Sequence, residues 1–167
     1  KMILVLFIQT SIMILFVFLQ STILKGIFFG ITPDIALLVL ISCSQSSGSF
    51  KAQTSGFITG LFEDIISLSP LGFHSLIKTL VGNLFGLTKG KIFIDSILLQ
   101  IVFSILATIF KYILIFILGV LFSPLITKAI TIRAMLLVLG INALLSPVIF
   151  FLMKLTGLVN RKGREML

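Results

Sequence analysis

Acidic side chains are scarce in this chain. Five Asp and Glu stand against 13 Lys and Arg, and charged residues of both signs make up 11% of the 167 residues, where soluble domains carry about 25%. So few charges cannot coat a water-facing exterior, which excludes an ordinary soluble globular protein. Trp is absent, and Tyr, Cys and His occur once each, as Tyr112, Cys43 and His74. A lone Cys makes no disulfide within the chain and no thiolate metal site, and a lone His leaves a zinc site without the further ligands it needs. The lack of Trp and near-lack of Tyr also remove the rings that a pocket for a flat heterocycle uses.

What is present is apolar. Hydrophobic residues make up 58% of the chain and the mean hydropathy is +1.28, which fits an all-α integral membrane protein whose exterior faces hydrocarbon. At about 20 residues per span, the length allows roughly six transmembrane helices in one domain over the whole chain, with no room for a soluble domain. The net charge of +8 raises the question of nucleic acid. However, the basic residues fall at span ends and in the tail Arg161, Lys162, Arg164. That is the pattern of orientation signals and lipid phosphate contacts, so the bilayer is the expected partner and nucleic acid is not.

Hydropathy and breakers place the spans at about 3–24, 33–47, 52–68, 71–88, 93–122 and 133–154. The first has no small-residue cleavage site after it and reads as a retained span. Pro33 suits the first turn of the second, which is short and which a re-entrant segment would also explain. Ser69-Pro70 and Ser123-Pro124 break the chain after the third and fifth spans, and Pro147 is expected to kink the sixth. With both termini cytoplasmic, Lys1, Lys51, Lys89, Lys91, Lys154 and the basic tail lie inside, and Lys25, Lys128 and Arg133 outside. The excess inside favours that orientation.

The polar residues within spans are the informative ones. On the third, Gly56, Gly60 and Asp64 repeat every four residues, with Glu63 and Ser67 joining that face. Such a glycine pair admits another helix backbone closely, a packing device that needs no ligand. An ionised group in a span is retained for a reason. Asp64 and Glu63 either meet water at the outer interface, pair with a basic neighbour, or serve catalysis or proton transfer. The fourth span carries His74, Ser75, Lys78, Thr79, Gly82, Asn83 and Gly86 on one side, opposite Ile77, Leu80, Leu84 and Leu87, and Lys78 is a natural mate for Asp64 or Glu63. The fifth aligns Ser96, Gln100, Ser104, Thr108 and Lys111. Lys111 is then paired, lines a cavity, or snorkels along Tyr112.

Catalytic readings find little to stand on. Intramembrane aspartyl peptidases need two facing aspartates, and Asp34, Glu63, Asp64 and Asp95 lack the asparagine-and-alanine context of such sites. Many serines surround His74, but no nucleophile elbow is present. No cofactor is expected.

Pro33-Asp34 opening the second span, Gly56-Phe57-x-x-Gly60-Leu61-x-x-Asp64 in the third, and Leu71-Gly72 with Leu76 in the fourth resemble the rod shape-determining MreD family over about 33–86. The resemblance implies a non-enzymatic component of the bacterial cytoplasmic membrane that links the cytoskeletal filament and MreC to peptidoglycan synthesis. Its implied partners are an MreC-like membrane protein and a wall-synthesis transpeptidase and glycosyltransferase; a homodimer is a further candidate assembly, which the residues leave open. Pro33, Gly56, Gly60, Asp64 and Gly72 match the family's signature positions. Here they take packing or turn roles, with Glu63, Asp64, His74, Lys78 and Lys111 as an intramembrane polar network. The in-span Lys78 and Lys111 depart from a typical member. The six-helix architecture is also similar to the substrate-binding subunits of energy-coupling-factor vitamin transporters. Against that reading, the first span lacks the alanine face with which such subunits meet their coupling partner.

Overall fold

The computed structural model describes residues 2–24, 32–67, 69–92, 96–122 and 132–157. Lys25, Asp95, Lys128, Ser123-Pro124 and the basic tail, all invoked above, lie outside them. Among the described residues the chain forms six helices and no strand: α1 (Met2–Leu19, running on into a π-helical turn, Gln20–Leu24), α2 (Ile35–Ser47), α3 (Ser49–Ser67), α4 (Phe73–Gly86), α5 (Ile97–Phe122) and α6 (Ile132–Leu155).

α2 is the centre. Ala36 through Ser44 are buried without interruption, and the helix packs against α1, α3, α4, α5 and α6. A helix apolar on all sides has no face for water and is enclosed. Its 13 residues rise about 20 Å, less than the roughly 30 Å of a hydrocarbon core. It starts two residues later than the sequence pattern suggests, at Ile35. Pro33 lies outside the helix and Asp34 is the N-cap, its carboxylate accepting the Leu37 N–H at 3.0 Å, because a carboxylate satisfies an N-terminal donor and Pro does not. At the other end Gly48 alone joins α2 to α3, with φ +85° and its N–H bonded to Ser44 O at 2.9 Å. That left-handed conformation is open chiefly to glycine.

α3 and α4 form the tightest pair. A Cβ at Gly56 would sit 2.6 Å from Lys78 O, one at Gly82 would sit 2.6 Å from Ala52 O, and Cβ atoms at Gly60 and Gly86 would collide with the backbones of Ser75 and Ser49. Four glycines, two per helix, therefore bring two backbones into direct contact along the whole hairpin. Gly82 and Gly86, which the sequence pattern places on a polar side, are half of this seam. Ile77 is likewise not on the outer side of α4 but in the core with Val81 and Phe85. The outer side is Leu76, Leu80, Leu84 and Leu87.

α5 and α6 pack on each other and close the bundle. Both are long and apolar enough to cross a membrane. α6 continues as helix through Pro147. The missing Pro147 N–H leaves the Ala143 carbonyl without its usual donor, and the Ser146 hydroxyl donates to that carbonyl at 2.9 Å.

The distribution of polarity is inverted relative to a water-soluble fold. Asp34, Glu63, Asp64, Lys78, Gln100 and Asn142 are buried, while Phe7, Phe57, Leu98, Phe116, Leu137 and Leu144 are exposed, Leu144 to 79%.

Candidate functional site

Four ionisable side chains meet inside the bundle. Lys78 of α4 is 1% exposed and pairs with Glu63 of α3. Its Nζ also lies 4.0 Å from Asp34 Oδ1 at the head of α2. Lys111, midway along α5, pairs with Asp34 Oδ2. Two carboxylates and two ammonium groups leave the cluster neutral, which is the condition for holding charge in a low-dielectric interior. α6 completes it through Asn142, whose Oδ1 accepts the Asp34 N–H at 3.0 Å and whose Nδ2 donates to Thr108 Oγ1 at 3.1 Å. The Thr108 hydroxyl donates on to Ser104 O at 2.8 Å. Five helices thus converge on one knot of charge and amide.

Asp64 is Glu63's neighbour in sequence but belongs to a second cluster. α4 opens on Gly72, whose φ of +94° and missing side chain leave the helix without a cap of its own. The end of α3 supplies one. Asp64 accepts the backbone N–H groups of Gly72 at 2.9 Å and His74 at 2.8 Å, and the Ser69 hydroxyl at 2.8 Å. A carboxylate against a helix N-terminus satisfies open donors and opposes the positive end of the dipole. His74 Nδ1 lies 2.8 Å from Asp64 Oδ1; since a carboxylate only accepts, that nitrogen carries the proton. Lys78 therefore takes Glu63 and Asp34 as its partners and not Asp64, and His74 stands apart from the lysine cluster.

Ser69, His74 and Asp64 have the composition of a hydrolytic triad. The geometry differs. Both Ser69 Oγ, at 3.1 Å, and Asp64 approach the same ring nitrogen, Nδ1, whereas a triad needs the serine on the opposite nitrogen from the acid. Among the described residues no three His, Cys, Asp or Glu side chains are grouped to hold a metal ion.

Of the residues singled out from sequence, Glu63, Lys78 and Lys111 come together, Asp64 and His74 form the hairpin-turn cluster with Gly72, and Gly56 and Gly60 line the glycine seam. Pro33 is buried beside the N-cap. Asp34's pairing and all of Asn142's part were missed. The available signal for Asn142 was one amide in the middle of an apolar 24-residue helix, the kind of residue retained in such a setting only with a partner.

The class of protein so defined is an all-helical bundle whose polar side chains bind one another inside and whose exterior is apolar. Within that class the chain belongs to the rod shape-determining protein MreD family, whose model matches residues 1–159. This is a family of membrane proteins with a structural part in rod shape determination. No curated protein and no solved structure matches the chain.

Proposed function

We propose that the chain is a multi-pass protein of the bacterial cytoplasmic membrane, with both termini cytoplasmic, that acts as a non-enzymatic scaffold of the elongation machinery. In this role it couples the cytoskeletal filament and an MreC-like membrane protein to the transpeptidase and glycosyltransferase that build peptidoglycan. Family membership supports the shape-determining role. The observation that carries the scaffold reading is the use of the ionisable groups within the helices: Asp34, Glu63, Lys78 and Lys111 are spent on one another, and Asp64 and His74 on the α3–α4 turn. Groups so engaged fix helix positions, which is what a scaffold requires. The apolar exterior supports placement in hydrocarbon.

The test is mild-detergent purification of the tagged protein from its native membrane, with mass spectrometry of what accompanies it. Recovery of an MreC-like protein or a wall-synthesis transpeptidase is the expected result. Recovery of paired ATPases with a coupling subunit would replace the scaffold by a transporter component.

A further inference from the structure

At the end of the α3–α4 hairpin far from the Asp64 turn, charge of one sign is gathered. A Cβ on Gly86 would collide with the Ser49 backbone, so the start of α3 and the end of α4 lie at one level. Lys51 stands in the first turn of α3. Beyond α4 the chain folds back on itself: Gly86 O accepts the Lys89 N–H at 3.3 Å, and Thr88 O accepts those of Lys91 and Ile92 at 3.0 and 3.2 Å, with Gly90 at φ +74°. That turn carries Lys89 over the α2–α3 junction, where its Cδ and Nζ would lie 3.1 and 3.6 Å from a Cβ on Gly48. Gly48 precedes Lys51 by less than one helical turn. Among the described residues none of these three lysines has an ion-pair partner, because the described carboxylates, Asp34, Glu63 and Asp64, are all engaged toward the opposite end of the bundle. Ammonium groups so gathered repel one another and favour a counter-charge from outside the chain. The apolar neighbours fix the depth at which that charge must lie. Phe50 and Leu87, next in sequence to Ser49 and Gly86, are 76% and 57% exposed, and Ile92 beside Lys91 is exposed as well. The lysines therefore stand on the last apolar turn of the bundle, where lysine stems run along apolar surface and the charged heads reach lipid headgroups.

We propose that Lys51, Lys89 and Lys91 form a binding site for the headgroup of an anionic phospholipid. The end of the hairpin that carries them is the one placed above in the cytoplasm, and the cytoplasmic leaflet is the one that presents anionic lipids to basic clusters beside a span. A lysine meets phosphate as a point charge, so the three need proximity to one another and no fixed bonding geometry. The glycine seam and the turn after α4 supply that proximity by setting Lys89 beside the start of α3. This goes further than the general attraction of basic span ends for a bilayer, since it assigns the lipid preference to one cluster and its charge. The inference rests on the membrane placement proposed above and not on the wall-synthesis role, and its test in symmetric nanodiscs is independent of which end faces the cytoplasm.

The full chain is reconstituted in phosphatidylcholine nanodiscs that carry either spin-labelled phosphatidylglycerol or spin-labelled phosphatidylcholine, and the share of each probe immobilised on the protein is read from its spectrum. Phosphatidylglycerol is expected to associate several-fold more strongly, with the preference shrinking at high salt. Changing Lys51→Gln, Lys89→Gln and Lys91→Gln together should remove most of the preference without changing the melting of the protein. Arginine at the same three positions should keep it, and Arg133→Gln at the start of α6 should leave it unaltered. Equal immobilisation of the two lipids by the wild type would overturn the site and leave the lysines to an acidic protein surface. A preference that survives the triple glutamine variant, or one that the triple arginine variant loses, would overturn it as well. Recovery of the chain in the soluble fraction of its native cells would sink the membrane placement and this proposal with it, a failure distinct from that of a membrane-embedded chain indifferent to lipid charge.

Discussion

The α3–α4 hairpin and the α5–α6 pair solve the same packing problem in opposite ways. α3 and α4 approach through glycine, bond through Gln53, Asn83, Asp64 and Ser75, and carry charge inward. α5 and α6 are longer and more apolar, pack on each other, and send Phe103, Ala107, Ile149 and Phe150 into the buried core. Where helices sit in apolar surroundings, burial of apolar area offers little gain, so association depends on close contact and on polar bonds. The hairpin is therefore specified residue by residue, and the long pair has more latitude. The Asp34 knot ties one to the other, since Lys111 and Asn142 are the polar side chains that α5 and α6 send to the head of α2.

The largest expected effect comes from a single substitution at the seam. Gly60→Leu has no space, because even a Cβ collides with the Ser75 backbone, whereas a Cβ at Gly140 of α6 meets nothing within 4 Å. Folded yield in detergent should fall severely for Gly60→Leu and stay near wild type for Gly140→Leu. Equal yields would erase the contrast between the two regions.

Next in size is the charge cluster. Lys78→Met leaves Glu63 and Asp34 facing Lys111 alone, an uncompensated buried charge that costs about 3–5 kcal/mol. The double change Lys78→Met, Glu63→Gln restores neutrality and should recover much of that loss in a reversible unfolding titration. If the double variant is as unstable as the single, the pair contributes nothing that neutrality explains.

Asp64 should behave differently from its sequence neighbour. Asp64→Ala removes a cap and the His74 contact, a loss of about 1–2 kcal/mol, and the loss should be the same with Lys78 intact or replaced. Strong coupling between positions 64 and 78 in that cycle would mean that Lys78 does reach Asp64.

These contrasts also mark what a reader of the sequence can and cannot see. The glycine pair of α3 and the polar residues of α4 and α5 are legible because they repeat at the helical period. Glu63 and Asp64 are legible as carboxylates that need partners, yet their separation into two clusters is not. One residue of rotation, about 100°, turns Glu63 toward Lys78 and Asp64 toward the turn, and helical phase alone does not say which neighbour lies on which side. The Asp34 contacts are harder still: Lys111 and Asn142 are 77 and 108 positions away, and nothing local announces a cap whose second oxygen is held by another helix. Gly82 and Gly86 read as part of a polar side because glycine carries no side chain to betray the backbone contact it permits.

The smallest expected effect tests the exterior. Leu106 and Leu144 project from α5 and α6 with more than half their surface exposed, and in the membrane reading they touch acyl chains in both the folded bundle and the separated helices. Truncating either to Ala then removes little that folding had gained, so Leu106→Ala and Leu144→Ala should change stability in bilayer-like detergent by no more than about 0.5 kcal/mol. A loss of about 2 kcal/mol, the size seen for a leucine removed from a packed core, would mean that another protein surface covers α5 or α6 in the assembled state. The long helix pair would then join the hairpin as a region specified by contact, and its latitude would be that of the isolated chain only.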